Sequence, residues 1–530
     1  MRIALPQLAH AASVVPAGLR FERDAAAPAR AQARQLRAAL TQVAGSCYGQ
    51  AHGLSADLSL DGFRRRVPIV DHAALQPWIE RVAAGEPAVL TRQPVTHFER
   101  TSGSAAASKL IPFTGRLLDQ FASATGAWLC DLYRRFPALL GARSYWSVSP
   151  AAQRRDRTAG GLAIGIDDDT RYLGPIAGWT QRRLLAVSPA TARLGDVDRW
   201  RWETARQMLA AGDLGLISVW SPTLLSGLMA FVQKNLEALL AALEPARRRA
   251  IERALELRGE LVGEAIWPRL ALVSCWMDAA SARFAAALRR WFPRTPFQPK
   301  GLLATEGVVS FPLWGHDGAV LAVGSHFLEF VDLQAPAARP LLAHELRSGG
   351  RYSPLLTTAG GLYRYRLGDV VRCVGHYRAT PLVRFEGKLD QVSDLCGEKL
   401  DAIFVETALA AVRGRSDVGW DFALLAPDLE GEPHYTLFIE TAAGEGQLAA
   451  LGDQLDRRLR QAHHYDVCRR LGQLGPLQVQ RVEGGWSRYQ ERLLEEGAVL
   501  GSIKATPLDR RPGWRCWLVG SGDTAAGQRC

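Results

Sequence analysis

The sequence of 530 residues predicts an α/β protein of two domains. Helical patterns joined by short Gly/Pro loops dominate up to about residue 300, strand patterns separated by Gly turns follow, and helices and strands alternate near the C-terminus. We therefore expect a large N-terminal domain over residues 1–387, in which a β-barrel and β-sheets are flanked by helices. A hinge over 388–398 and a small C-terminal α/β domain over 399–530 follow.

The first part of the chain carries the clearest helix patterns. Residues 30–45 (RAQARQLRAALTQVAG) have the spacing of an amphipathic helix that ends at Gly45. Residues 224–243 and 280–292 predict two further helices, whereas residues 216–220 (LISVW) predict a short buried strand.

The predicted secondary structure changes from helices to strands near residue 300. Residues 319–332, 352–358, 363–375 and 381–386 read as strands between Gly turns, which predicts a sheet or a barrel. The C-terminal region predicts a compact α/β unit with helices at 399–412, 446–463 and 486–496, two strands around a turn at 427–433, and a strand at 477–482.

Composition excludes several classes of protein. With 48% hydrophobic and 22% charged residues, the chain can bury a large core, and disorder and collagen-like repeats are excluded. Eight scattered cysteines without a CxxC pair favour neither a zinc site nor a disulfide framework, so we expect a reducing cytoplasm. The N-terminus makes a poor signal peptide and no long apolar run occurs, so we expect no membrane partner.

The charge is carried almost entirely by arginine. The net charge is +11, and only six of the 64 basic residues are lysine. The arginines are spread through helical segments without a basic tail or stripe, so we expect no nucleic-acid partner.

A polar segment at residues 101–112 (TSGSAAASKLIP) offers hydroxyl groups, backbone N–H groups and Lys109, which can all meet phosphate oxygens. It departs from the P-loop pattern, because Ser108 replaces the glycine before the lysine and a leucine follows the lysine. The alanines at 105–107 lose easy access to positive φ, so we expect the loop to enter a helix early. Two interpretations of Lys109 stay open, a phosphate ligand and a helix-surface residue.

Two carboxylates end strand patterns. Residues 302–307 (LLATEG) form an apolar strand that ends in Thr-Glu-Gly, where a magnesium ligand would lie beside a phosphate loop; a solvent-facing turn glutamate is the alternative. Residues 361–372 (GLYRYRLGDVVR) place Asp369 at the end or bend of a strand, which suits an acceptor for a ribose diol.

Two further segments carry lysines. Residues 387–400 (GKLDQVSDLCGEKL) lie at the composition boundary, where a hinge is expected, and residues 501–507 (GSIKATP) hold Lys504 on a Gly/Pro-bounded loop. Taken alone, each of these lysines is a surface residue.

In this order, the segments resemble the auxin-responsive Gretchen Hagen family of acyl-acid amido synthetases, and its bacterial members in particular. The resemblance covers nearly the whole chain, including residues 48–53 (YGQAHG) and 218–223 (SVWSPT). It implies a fold like that of adenylate-forming enzymes, with a mobile C-terminal domain, ATP as substrate and Mg²⁺ as cofactor. It also implies that a carboxylic acid becomes an acyl-adenylate with release of pyrophosphate, after which an amine, usually an amino acid, displaces AMP.

The resemblance further implies roles for individual residues. The nucleotide would contact Ser102, Gly103, Ser104, Lys109, Thr305, Phe327, Asp369 and Lys399, with Phe327 on the adenine and Asp369 on the ribose. Glu306 would bind Mg²⁺, and Lys504 would be the catalytic residue that reaches the reacting carboxylate and the α-phosphate. Trp220 and Trp314 would line the acyl pocket, and Lys388 and Asp390 would form the hinge.

Two alternatives stay open. An acyl-CoA synthetase would share the first half-reaction, and a non-catalytic nucleotide-binding homologue would keep the fold while losing the chemistry. The alanines at 105–107 motivate the second alternative. The motifs specify neither the acid nor the amine, because pocket shape sets that choice.

Overall fold

The protein is described by a computed structural model, which covers residues 5–101, 109–146, 157–165, 169–194, 196–389, 392–396, 398–414, 416, 418–430, 432–498 and 500–519. The chain divides into two compact units, residues 1–385 and 386–530. No helix in these ranges is long and apolar enough to cross a membrane.

Helices form the first and largest part of the N-terminal unit. They are α1 Leu5–Ala26, α2 Pro28–Val43, α3 Cys47–Ala51, α4 Leu60–Arg66, α5 His72–Ala83, α6 Gly115–Arg135, α7 Pro175–Leu184, α8 Val197–Ala210, α9 Pro222–Lys234, α10 Leu236–Ala241, α11 Pro245–Arg258, α12 Gly263–Ile266 and α13 Ala282–Leu288.

Short strands alternate with these helices and then dominate. They are β1 Val95–Arg100, β2 Leu110–Thr114, β3 Arg143–Trp146, β4 Ala163–Ile164, β5 Leu214–Ser218, β6 Leu272–Ser274, β7 Phe297–Gln298, β8 Leu303–Ala304, β9 Gly307–Val308, β10 Ser310–Pro312, β11 Ala319–Leu321, β12 Phe327–Asp332, β13 Leu341–Leu342, β14 Arg351–Thr357, β15 Tyr365–Arg366, β16 Asp369–Tyr377 and β17 Thr380–Lys388.

Two sheets of this unit position the candidate site. An eight-stranded sheet runs in the order β10-β11-β17-β16-β14-β12-β13, with β15 paired to β14. Its pairing order is linear in the described residues. The second sheet is parallel, in the order β3-β5-β6-β7.

Helix α6 connects the two sheets through the main core. It begins where the Thr114 hydroxyl accepts the N–H of Leu117 at 3.1 Å, an N-cap that satisfies one of the free donors of the first turn. Leu129 and Leu132 of α6 lie in one core cluster with Leu216 and Leu272 of the parallel sheet, and so does Phe327 of the eight-stranded sheet.

Several predicted elements are shorter or divided. The helix expected at 224–243 breaks at Asn235 into α9 and α10, and the strand expected at 319–332 is two strands, β11 and β12, around residues 322–326. The helix expected at 280–292 is regular only over Ala282–Leu288.

The C-terminal unit matches its predicted order closely. Its elements are β18 Val392–Ser393, β19 Leu400–Asp401, α14 Ala402–Arg413, β20 Phe422–Asp428, β21 His434–Glu440, α15 Glu445–Leu459, α16 His463–Arg470, β22 Gln478–Arg481, α17 Gly485–Glu495 and α18 Trp514–Leu518. The strands β20, β21 and β22 form a sheet with a separate core on each face. Helix α16 was not predicted; the helix expected to run to 463 ends at Leu459.

Candidate active site

The Thr-Glu-Gly segment is the turn of a small hairpin. Strand β8 pairs antiparallel with β9, with Ala304 opposite Gly307, so Thr305 and Glu306 form the two-residue connection. Glu306 is 8% exposed, and the Tyr365 hydroxyl donates to its Oε1 at 3.3 Å. The solvent-facing alternative is therefore wrong, because the carboxylate is buried and hydrogen-bonded.

The Tyr-Arg-x-Gly-Asp segment brings a second carboxylate to the same place. Tyr365 lies in β15, Gly368 has φ +78, and Asp369 begins β16 and is 4% exposed. Burial raises the pKa of the Tyr365 phenol, and the charges of Glu306, Asp71 and Asp369 raise this pKa further. The phenol therefore stays protonated and donates to Glu306.

A buried ion pair fixes the segment before Asp369. Arg364 has φ +49, a conformation that few non-glycine residues adopt. Its Nε donates to Glu329 Oε2 at 2.9 Å, and the Nε of Arg64 donates to Glu329 Oε1 at 2.8 Å. Glu329 is 1% exposed, so two guanidinium groups neutralise one carboxylate inside the core.

A neutral histidine is hydrogen-bonded to the Thr-Glu-Gly hairpin. The N–H of Val308 donates to His326 Nε2 at 3.0 Å, so Nδ1 carries the proton and donates to Gln120 Oε1 at 3.1 Å. Burial lowers the pKa of His326 to about 3. This residue thus ties β9 to helix α6, and sequence reasoning did not identify it.

Phe327 follows this histidine at the start of β12. Its ring is 2% exposed and meets Phe63 edge to face, with centroids 6.2 Å apart. The ring lies in the main core, and its contact with adenine stays a prediction.

The Ser-rich segment follows β1 and precedes β2. Strands β1 and β2 pair antiparallel up to Arg100 opposite Leu110, and the N–H of Thr101 donates to the carbonyl of Lys109 at 3.0 Å. Residues 102–108, and with them the predicted Ser102, Gly103 and Ser104, lie outside the described residues. Lys109 is exposed and precedes a strand, so its interpretation as a helix-surface residue is wrong.

The two tryptophans predicted for the acyl pocket lie in different surroundings. Trp220 follows β5, 6.0 Å from the ring of Trp276. Trp314 stacks edge to face on Phe136 at 4.7 Å, and its backbone N–H donates to Asp131 at 2.8 Å.

In the C-terminal unit, the Gly-Glu-Lys segment has a buried anchor and an exposed lysine. Glu398 accepts the N–H groups of Leu395 and Cys396 at 2.7 and 2.8 Å and the Tyr435 hydroxyl at 2.5 Å. Burial opposes ionisation, but these donors outweigh it and hold the pKa of Glu398 below its usual value. The neighbouring Lys399 has φ +45 and is exposed.

The other lysines of this region are placed as follows. Lys504 is exposed on a loop, where its backbone carbonyl accepts the Tyr489 hydroxyl at 3.1 Å. Lys388 ends β17, and Asp390 lies outside the described residues. The predicted hinge thus begins where β17 ends.

Three family domains match the chain in order: the GH3 family N-terminal domain at residues 19–244, the central domain at 319–388 and the C-terminal domain at 405–511. The chain belongs to the GH3 family.

Relatives of this GH3 chain are similar over most of its length. It is 25% identical to a probable indole-3-acetic acid-amido synthetase of Oryza sativa subsp. japonica, over 91% of this chain and 92% of the relative. It is 24% identical to an indole-3-acetic acid-amido synthetase of Arabidopsis thaliana, over 83% and 85%. The solved GH3.15 acyl acid amido synthetase has the same fold, with a TM-score of 0.78, 18% identity and coverage of 91% and 92%.

The candidate site of the GH3 chain contains residues that the sequence patterns predicted and residues that they did not. Among the predicted residues, Glu306 is hydrogen-bonded to Tyr365, and the charge of Asp369 raises the pKa of the same phenol. It also adds the supports Arg364, Glu329 and His326, which no sequence pattern singled out. A charged residue in an otherwise apolar strand, such as Glu329 in FLEFVD, is the signal that could have identified the ion pair.

Proposed function

We propose that the chain activates a carboxylic acid with ATP as an acyl-adenylate, with release of pyrophosphate, and transfers the acyl group to an amino acid to form an amide and AMP. The observation that carries this proposal is the buried Glu306, hydrogen-bonded to the Tyr365 phenol, together with the buried Asp369 four residues after this tyrosine, in a chain of the GH3 family. The named relatives are amido synthetases, which supports an amine as the acceptor.

Glu306 and Asp369 have different roles in nucleotide binding. Glu306 offers an oxygen ligand held in place by Tyr365, which fits Mg²⁺, since this ion takes one or two carboxylates together with phosphate oxygens. When bound, Mg²⁺ would offset charge on the phosphates. Asp369 accepts hydrogen bonds from the ribose, Phe327 lies against the adenine, and Thr305 contacts the nucleotide beside Glu306.

The segment between β1 and β2 binds the phosphates. Ser102, Gly103 and Ser104 supply hydroxyl and backbone N–H donors, and Lys109, which directly precedes β2, supplies a positive charge. Lys109 is exposed and directly precedes the first residue of β2, so its ammonium can reach an anion.

Two exposed lysines of the C-terminal unit complete the chemistry. Adenylation places negative charge on the α-phosphate and the carboxylate oxygens, and an ammonium directed at these atoms stabilises the transition state. Lys504 takes this catalytic role, and Lys399 contacts the nucleotide. A movement about Lys388 and Asp390 delivers Lys504 for the first half-reaction and then opens a path for the amine.

The deciding experiment is an acid-dependent pyrophosphate assay with the purified chain, ATP and Mg²⁺. Aryl, indole and fatty acids are tested alone, with each of the twenty amino acids and with CoA, and products are identified by mass spectrometry. We expect pyrophosphate release with at least one acid and an amide with at least one amino acid.

Matched variants make the assay specific. Lys504→Ala should lose most acid-dependent pyrophosphate release, whereas Lys234→Ala, at an exposed position of α9, should keep it. AMP formation accelerated only by CoA would identify an acyl-CoA synthetase instead. The absence of any acid-dependent release would favour a non-catalytic homologue.

A further inference from the structure

Two cysteines and a glutamate meet inside the C-terminal unit. Cys396 lies between β18 and β19, two residues before Glu398, and Cys468 lies in α16. The two sulfur atoms and a carboxylate oxygen of Glu398 all lie within 4.8 Å of one another. Because 72 residues separate the cysteines along the chain, their spacing did not predict this arrangement, which we call the Cys–Glu–Cys cluster.

Hydrogen bonds fix the carboxylate of the cluster. The Tyr435 hydroxyl donates to Glu398 Oε1, and the N–H of Cys396 donates to Oε2 at 2.8 Å. The Cys396 thiol also donates to Oε2, with its sulfur 3.3 Å away. A carboxylate oxygen has two lone pairs, so the N–H occupies one lone pair of Oε2 and the thiol proton lies on the other. A cation that replaces this proton would gain an oxygen ligand that is already oriented.

The cluster is buried, but one of its members reaches solvent. Glu398 is 1% exposed and Cys468 is 4% exposed, whereas Cys396 is half-buried. The Cys468 sulfur lies 3.5 Å from the carbonyl oxygen of Cys396, so this thiol lies against the same segment. The Tyr435 hydroxyl, the backbone N–H groups and the thiol that donate to Glu398 are all neutral, and a cation would add the positive charge that they lack. Such a cation would enter past Cys396, where water can complete its coordination.

The distances within the cluster suit a zinc ion. Zinc lies about 2.3 Å from a cysteine sulfur and about 2.0–2.2 Å from a carboxylate oxygen, so the ligand atoms of a tetrahedral site are about 3.5–3.8 Å apart. The 3.3 Å between Cys396 Sγ and Glu398 Oε2 is close to this range. Since all pairs lie within 4.8 Å, none would need to close by more than about 1 Å. The two sulfurs favour Zn²⁺ over Mg²⁺ or Ca²⁺, which prefer oxygen ligands.

We propose that the Cys–Glu–Cys cluster is a zinc site, with Cys396, Glu398 and Cys468 as ligands and water in the fourth position. Binding releases the two thiol protons to solvent, so that two thiolates and the carboxylate meet the cation. The ion joins the segment that precedes Lys399 to helix α16 and thereby stabilises the C-terminal unit. Zinc binding is measured without ATP or an acid, so the site stands apart from the proposed function.

A disulfide between the two cysteines is the alternative use of the same atoms. It would need the sulfurs to approach to about 2.03–2.05 Å. It would also remove the thiol that donates to Glu398 and leave Oε2 facing a sulfur atom that cannot donate. A zinc ion instead uses the lone pair on which that thiol proton lies. The geometry therefore favours metal binding over oxidation.

The test is a zinc titration of the full chain, prepared without a histidine tag and freed of metal with a chelator and a phosphine reductant. Competition with a chromogenic zinc chelator gives the stoichiometry and the dissociation constant, and Co²⁺ in place of zinc reports thiolate ligands through its charge-transfer absorption. Cys396→Ser and Cys468→Ser each remove one sulfur ligand. Cys47→Ser is the matched control, because this half-buried thiol also faces a carboxylate, that of Glu86 at 3.8 Å, outside the cluster.

We expect one zinc ion to bind tightly to the parent protein and to Cys47→Ser, and each cluster variant to raise the dissociation constant of this ion at least tenfold. Co²⁺ bound to the parent protein should show the thiolate absorption, which Cys468→Ser should weaken. Zinc should also raise the urea midpoint of the C-terminal unit in the parent protein but not in Cys468→Ser. Dissociation constants within twofold of the parent value for both cluster variants would overturn the proposal.

Two further results separate metal binding from a folding defect. If urea unfolding shows that Cys468→Ser does not fold, Cys396→Ser decides, since position 396 is half-buried and a hydroxyl there can meet solvent. The Co²⁺ spectrum of the parent protein needs no variant, and tight Co²⁺ binding without thiolate absorption contradicts the proposal. A disulfide between Cys396 and Cys468 that forms in air at saturating zinc, found by mass spectrometry of proteolytic peptides, contradicts it as well.

Discussion

The buried His326 predicts a specific loss of stability in acid. Its pKa is about 3 in the folded protein, whereas an unfolded histidine has a pKa of about 6.5. Between these values the unfolded chain binds more protons than the folded one, so stability falls as the pH falls below about 6.5. At pH 5 the loss is about 2 kcal/mol from this residue, and it approaches about 5 kcal/mol below pH 3.

The variant that isolates this effect is His326→Gln. A glutamine can accept the N–H of Val308 and donate to Gln120, as the neutral histidine does, but it does not titrate. His10, whose pKa burial lowers to about 4, also contributes in acid, but equally in both proteins, so its share cancels.

The assay is urea unfolding at pH 7.5 and pH 5.0, analysed for the transition of the N-terminal unit. The parent protein should lose about 2 kcal/mol more than His326→Gln between these pH values. His344→Gln, which removes an exposed histidine, is the control and should behave as the parent. An equal loss in the parent protein and His326→Gln would refute the argument that this ring is held neutral.

Three further predictions concern charge. Lys504→Arg should lower acid-dependent pyrophosphate release about 10- to 100-fold although the charge is kept, whereas Lys234→Arg should not; equal rates would contradict the need for an ammonium. Glu329→Gln should cost about 3–5 kcal/mol of unfolding free energy in urea titrations, because it leaves the buried Arg364 and the half-buried Arg64 without a counter-charge. Asp198→Asn, in an exposed pair, should cost less than about 1 kcal/mol, and similar costs would refute the contrast. Glu306→Gln should raise the Mg²⁺ concentration needed for half-maximal pyrophosphate release, and an unchanged Mg²⁺ titration would exclude this carboxylate as a ligand.

Local patterns predicted much of the fold. The helix expected at 30–45 is α2 at Pro28–Val43, and the strands and helices of the C-terminal unit appear in the expected order. The predictions failed where a single residue changes the backbone. The helix expected from Lys399 begins only at Ala402, because Lys399 adopts φ +45 and β19 intervenes.

The candidate site was predictable only in part, for a physical reason. Glu306 lies in the turn after β8 and Asp369 begins β16, so both carboxylates lie at strand boundaries that local sequence patterns indicate. His326 and the ion pair of Glu329 depend on contacts between segments that are far apart in the chain: His326 meets Gln120 of α6, and Arg64 of α4 meets Glu329 of β12. Such contacts leave no periodic signal in a single sequence.

Because lysine is scarce in this chain, the lysine at position 300 needs a physical explanation. In a chain with six lysines among 64 basic residues, an arginine would be the usual cation. The ammonium of Lys300 is a compact point charge within reach of two indole faces and the Ser218 hydroxyl, whereas a planar guanidinium would spread its charge over five donors and need more room. A lysine therefore fits this position better than an arginine would. The same argument applies to Lys504, whose exposed ammonium on a flexible stem can turn toward a small group of oxygens.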